Sequence, residues 1–188
     1  EPIQAMNRRD ILKFGAITAV SAAGGLSLSG TARAAIVPDV RRLALVNTHT
    51  GDTFNDAYWH QGAYVPDALG AINHVMRDYR SGDVHAIDPN LLDLLDDLRG
   101  HVDAGAPFQI ISGYRSPATN AAMHEASSGV AAHSLHMDGK AIDIRVGGVD
   151  LTNLRDSALL MSRGGVGYYP TSNFVHVDTG RVRRWSGS

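Results

Sequence analysis

The chain contains no cysteine, which excludes thiolate metal sites, cysteine nucleophiles and any disulfide framework. It also lacks a strong charge of either sign. Lys and Arg number 17 against 19 Asp and Glu, for a formal charge of -2, so there is no basic footprint for nucleic acid. Low-complexity tracts and internal repeats are absent too. With 44% hydrophobic residues over 188 positions, the chain is long enough to bury a core without a disulfide or a structural metal. What it does have in number is histidine, nine in all.

The first residues read as an address rather than as part of a fold. Arg8-Arg9 stands in the setting Arg-Arg-x-Ile-Leu-Lys, and an uncharged run follows from Phe14 to Gly30. That run is rich in Ala, Gly and Ser, and is less apolar than a membrane span. Ala32-x-Ala34 then supplies a small-residue cleavage pattern, completing the order of a secretory signal. The arginine pair resembles the twin-arginine export signal; an amphipathic helix or an uncleaved anchor is the plainer alternative. The expected organisation is a signal over 1–34, a linker over 35–42 and one domain over 43–188. The expected location is the periplasm or cell envelope, with no membrane attachment once the signal is removed and a monomer as the default. Removal of the signal takes four basic but only two acidic residues, so electrostatic anchoring to an anionic wall is not expected.

Along the remaining chain, Leu43 to His49 predicts a strand. Leu69, Ile72, Val75, Met76 and Tyr79 have helical spacing within 66–79, and Asp67 suits the positive end of that helix. Asp88-Pro89-Asn90 opens a second helix, with Pro89 at its first position. Phe108 to Ser112 predicts a short buried strand and Pro117 to Ala126 a helix. Strands follow at 141–146 and 173–177, with a helix at 152–161 between them. Gly164-Gly165-Val166-Gly167 reads as a turn-rich loop. Arg181 to Trp185 reads as a strand paired after the turn Asp178-Thr179-Gly180. The aromatic and amide-rich stretch 55–62 reads as a loop, either a packing cluster or a substrate wall. The fold class is α+β, with helices packed beside a small, mainly antiparallel sheet.

Strand alternation turns two of these segments into geometry. Ile142, Ile144 and Val146 share one face of their strand while Asp143 lies on the other; Val175 and Val177 share a face opposite His176 and Asp178. If the two strands are neighbours, Asp143 and His176 converge across the sheet. His136 precedes Asp143 by seven residues, and a tight turn at Gly139 can return its imidazole to the same place. Two imidazoles and a carboxylate suit zinc, with a fourth position open to water; the same set also serves non-haem iron. A turn histidine, an Asp143–Arg145 ion pair and a half-buried His176 form the bland alternative.

The surrounding words are more specific. Ser134-x-His136-x-x-Gly139-x-Ala141-x-Asp143, with Ser112-Gly113-Tyr114-Arg115-Ser116 before it and a strand carrying His176 after it, resembles the LAS superfamily of zinc peptidases. This group takes in lysostaphin-type, D-Ala-D-Ala and hedgehog-type domains. The run from Gly164 to Gly180 resembles in particular the MepK-type murein endopeptidases. The resemblance spans roughly residues 43–185. It implies a hedgehog/D-Ala-D-Ala peptidase-like fold, and zinc held by His136, Asp143 and His176. It implies an Arg115 that binds substrate and stabilises the reacting carbonyl. The implied activity is hydrolysis of amide bonds in peptidoglycan peptides, as a cross-link-cleaving endopeptidase.

One departure stands out. Carboxypeptidase-type relatives carry an acidic general base three residues before the last histidine ligand, where this chain has Asn173. Two local candidates take its place: Asp178, as proton acceptor or as partner of the His176 ring, and His133, three residues before His136. The departure keeps open a zinc-containing cell-wall binding module without catalysis. An iron-dependent oxygenase is disfavoured by the spacing of the first histidine and the carboxylate.

Overall fold

The computed structural model describes residues 40–102, 105–127 and 129–187. The expected signal and most of the expected linker lie outside the described residues. Val40–Arg42, assigned to the linker, are the first residues of strand β1.

Eight strands form one sheet: β1 (Val40–Asn47), β2 (Thr53–His60), β3 (Ala63–Tyr64), β4 (Phe108–Ser112), β5 (Ala141–Val146), β6 (Gly165–Tyr169), β7 (Phe174–Asp178) and β8 (Arg183–Ser186). Their order is β3-β2-β1-β4-β5-β7-β6-β8. The α+β class stands, but the sheet is neither small nor simply antiparallel. It is mixed, because β1 runs parallel to β4 and β6 parallel to β8. Among the described residues four α-helices accompany it: α1 (Pro66–Val75), α2 (Pro89–Val102), α3 (Pro117–Ala126) and α4 (Leu151–Met161).

The helices begin where local chemistry says they should. Three of them, α1, α2 and α3, start on proline, whose missing N–H costs nothing in the first turn. Ser116 caps α3 by accepting from the Thr119 N–H at 3.3 Å. Leu91, Leu92, Leu94, Leu95 and Leu98 of α2 are buried, as are Ile72 and Val75 of α1 and Leu154 of α4. They form one apolar cluster with Leu43, Leu45, Phe108, Ile110, Ile142, Ile144, Val175 and Val177 of the sheet. One face of the sheet is thereby committed to the core, so alternation sends the intervening residues to the other.

Three expectations need correcting. The stretch 55–62 is mostly strand, not loop. Tyr58 is fully buried, and its hydroxyl donates to Asp93, as do those of Tyr64 and Arg41's guanidinium. It is a packing cluster at the far end of the sheet. Gly164 to Gly167 is largely strand β6. The C-terminal strand pairs in parallel with β6 instead of forming a hairpin with β7.

The last two corrections share a cause. On the face away from the core, Gly165 lies beside Arg183 and Gly167 beside Trp185. A Cβ on Gly165 would sit 2.3 Å from the Arg183 guanidinium, and one on Gly167 would sit 2.6 Å from the Trp185 ring. The glycines leave β6 bare, so that side chains of β8 can lie across it and reach β7. Replacing Gly167 by Ala is therefore expected to expel the Trp185 ring. A loss of about 1–3 kcal/mol in urea unfolding and a red-shifted tryptophan emission would accompany it; unchanged emission and stability would refute this account of β6.

Candidate metal centre

The site grows from two neighbouring strands and one turn. In the antiparallel pairing of β5 with β7, Asp143 stands directly opposite His176. His136 arrives from a short 3-10 turn, Leu135–Asp138, capped by Ser134 and closed by Gly139 at φ 66°. That left-handed conformation favours glycine. Space demands it as well, because a Cβ there would lie 2.3 Å from the Ala86 carbonyl oxygen.

The three side chains meet. His136 Nε2 is 3.2 Å from His176 Nδ1 and 3.3 Å from Asp143 Oδ1, while His176 Nδ1 is 2.9 Å from the same carboxylate oxygen. All three residues are buried, and one ligand atom from each lies within 4.8 Å of the others.

The outward atoms fix which nitrogen of each ring faces in. His136 Nδ1 lies 2.7 Å from the Gly113 carbonyl oxygen, which can only accept, so this nitrogen carries the proton. His176 Nε2 lies 2.9 Å from Asp178 Oδ2 and likewise donates. Each ring then turns an unprotonated nitrogen inward, toward the other and toward the carboxylate. Three electron-pair donors this close repel one another, so the arrangement fits a shared cation.

The electrostatics point the same way. Burial disfavours the charged form of His136 and keeps its pKa below the ordinary histidine value. Burial pushes the Asp143 carboxyl up, but the two imidazoles outweigh it and hold the carboxyl below its usual range. Burial also opposes a charged His176, yet hydrogen bonds to Asp143 and Asp178 raise it to about 8. The negative surroundings that attract a proton there would equally attract a metal ion.

Asp178 stands behind His176, fully buried. It accepts from five donors: the backbone N–H groups of Gly165 and Gly180, two nitrogens of Arg183, and His176 Nε2. Arg183 of β8 is this carboxylate's ion-pair partner at 2.7 Å. His133 is exposed and lines the cleft above the cluster. Asn173, at the position where an acid was expected from carboxypeptidase-type relatives, is an exposed turn residue at φ 56°.

Arg115 is buried beside the cluster, its Nη2 3.8 Å from Asp143 Oδ2. It donates to Asn120 and Ser112, and its Nε has no partner among the described residues. Its backbone N–H donates to the His136 carbonyl, while Gly113 receives the His136 ring, so the two motifs hold each other. Asp78 anchors this segment from below, accepting the Ser116 N–H at 2.9 Å. Asp78 and Asn120 carried no signal in the sequence, and Gly113, Gly165 and Gly167 stood there only as members of motifs, without the positions they take in the structure.

The cleft holds about 500 Å³, with His136, Asp143 and His176 among its lining and Tyr169, Phe174 and Trp185 on one wall. A buried His–Asp–His donor set, two members on strands and one on a turn, opening to such a cleft is equipment that a metal-dependent hydrolase could use. The chain belongs to the family described as peptidoglycan L,D-endopeptidase MepK, which it matches over residues 35–185; it is a peptidase. The peptidoglycan L,D-endopeptidase MepK of Escherichia coli is 43% identical over 180 residues, 95% of this chain and 97% of that one. The probable peptidoglycan L,D-endopeptidase MepK of Haemophilus influenzae is 40% identical over 184 residues, 96% of each chain. The solved structure of the Serratia marcescens L-Ala D-Glu endopeptidase ChiX covers 41% of this chain and 62% of its own, at 22% identity and a TM-score of 0.33. That likeness is too slight to bear on function.

Substituting Asp178 by Asn removes the charge that orients the His176 ring while keeping its size. Metal affinity is expected to fall roughly 10–100-fold, read by competition with a chromogenic chelator; unchanged affinity would show that Asp178 serves the fold alone.

Proposed function

We propose that the chain hydrolyses an amide bond in peptidoglycan peptides, as a cross-link-cleaving endopeptidase, with zinc held by His136, Asp143 and His176. The observation that carries this reading is the inward convergence of His136 Nε2, His176 Nδ1 and Asp143 Oδ1. It occurs in a chain whose family is described as a peptidoglycan L,D-endopeptidase. Two neutral nitrogens and one carboxylate make a donor set suited to zinc with an open position. Bound there, zinc would supply a water acidified to a pKa of about 7 and a Lewis acid for the scissile carbonyl.

The remaining roles fall to the chain's own residues. Arg115 keeps its charge fixed beside Asp143 by hydrogen bonds to Asn120 and Ser112. Its guanidinium is placed to stabilise negative charge developing on a substrate oxygen without reorganising. Asp178 is shut off from the cleft and saturated with donors, so its role is to hold the His176 proton on Nε2. Proton transfer is left to His133, which is exposed on the cleft wall. Gly113 performs for His136 the service that Asp178 performs for His176.

The same reading places the enzyme in the cell envelope, acting as a monomer. Residues 1–34 would serve as a twin-arginine signal and the peptidase domain would follow the linker. No helix among the described residues is long and apolar enough to cross a membrane.

Purified protein is expected to convert cross-linked muropeptides to monomers, to stop when chelated and to resume on adding zinc. His136→Ala should abolish both zinc content and turnover. Arg115→Ala should keep zinc but lower kcat about 10²–10³-fold. Zinc bound at one equivalent with intact cross-links would sink the hydrolase reading and favour a wall-binding module.

A further inference from the structure

The wall of the cleft formed by the segment after α1 has a feature that the hydrolytic machinery does not use. Tyr79 stacks on His49 with ring centroids 3.7 Å apart and an 8° interplanar angle. The Arg80 guanidinium lies over the same Tyr79 ring, 4.2 Å from its centroid. Two groups that close cannot share one face, so the tyrosine is sandwiched and the guanidinium is braced. The backbone beneath it is fixed too, because the Arg80 N–H donates to the buried carboxylate of Asp78 at 3.0 Å. His49 is held in turn by the Ile111 carbonyl at 3.0 Å. An exposed arginine normally loses its contribution to side-chain entropy; this one is already placed.

Its charge is also unspent. Three arginines line the cleft, Arg80, Arg115 and Arg183, and Asp143 is the one carboxylate among the lining residues. Arg183 is paired with Asp178 and Arg115 faces Asp143. Among the described residues, the Arg80 side chain has no carboxylate partner. A planar guanidinium held at a cleft wall without a counter-ion suits bidentate capture of a carboxylate. Within the same cleft lining, Tyr169 stacks on Phe174 and Trp185 donates to the Tyr169 hydroxyl, offering an apolar surface for the aliphatic part of the same ligand.

We infer that Arg80, braced by Tyr79 and His49, is a specificity-determining residue that binds a free carboxylate of the peptide whose amide bond is cut. This rests on the hydrolase reading above. It adds that the substrate must be anionic in this cleft, so a peptide whose carboxyl groups are amidated is discriminated against.

The test uses two cross-linked muropeptides that differ only in having free or amidated carboxyl groups. Wild-type protein, Arg80→Ala, Arg80→Lys and, as a charge-matched control, Arg42→Ala are compared for turnover and for equilibrium binding by calorimetry. Arg42 pairs with Asp56 at an exposed edge far from this wall. Wild type is expected to favour the free acid by about tenfold, the scale of one charge-assisted contact. Arg80→Ala should raise KM for the free acid by about that factor, leave kcat unchanged and lose the discrimination. Arg80→Lys should keep part of it and Arg42→Ala all of it. Discrimination that survives Arg80→Ala in both turnover and binding overturns the inference. Arg80-dependent binding of the free acid without any turnover would instead uphold it and overturn the hydrolase reading, so the two claims fail separately.

Discussion

Three inward-facing electron-pair donors dictate most of what surrounds them. His136 Nε2, His176 Nδ1 and Asp143 Oδ1 lie within 4.8 Å of one another, a gathering that costs free energy unless a cation shares it. Each donor must therefore be restrained from behind. Gly113 restrains one ring and Asp178 the other, while the sheet pairing of Asp143 with His176 sets the third side. The restraint on His176 creates a debt of its own, since Asp178 is a fully buried carboxylate. Arg183 and two backbone N–H groups neutralise it.

Seen from that carboxylate, the odd features of the C-terminal third have one explanation. Arg183 can reach Asp178 only by crossing β6, and β6 is crossed at Gly165. The same crossing at Gly167 lets Trp185 rest 5.1 Å from the His176 ring, so the imidazole is contacted by this ring as well as by Asp178. The parallel pairing with β6 and the two bare positions are thus a single device for holding one imidazole. Strand-weakening glycines at these positions are a stability cost borne by the site.

What could be read from the sequence divides along physical lines. The helix starts were legible because they depend on neighbours in sequence: Pro66, Pro89 and Pro117 announce their first turns, although the first helix, expected over 66–79, ends at Val75 and leaves Tyr79 outside it. β5 and β7 were legible because alternation shows in a one-sided strand, and it put Asp143 and His176 on the correct face before any pairing was known. Local pattern could not reveal β6, since Gly165 and Gly167 read as turn residues until β8 is laid over them. The aromatic stretch 55–62 misled for the converse reason. Its polar groups look solvated in sequence, whereas Tyr58 and Tyr64 share the Asp93 carboxylate with Arg41. Long-range partners decide both cases, and sequence spacing carries no trace of them.

The missing acid before the last histidine follows the same logic. Asn173 occupies a left-handed turn position at φ 56°, a conformation that asparagine and aspartate adopt more readily than most residues. Its side chain is exposed on the β6–β7 turn, so this architecture uses the position to reverse the chain. The carboxylate two residues beyond His176 has meanwhile been drawn behind the ring and sealed from solvent. On the proposed hydrolase reading the proton acceptor comes instead from the cleft's outer wall, where the exposed His133 stands on the segment leading into His136. That segment ends in the capped turn that carries His136 inward, so the exposed His133 and the buried His136 are placed by one stretch of chain, fixed at Ser134 and Gly139.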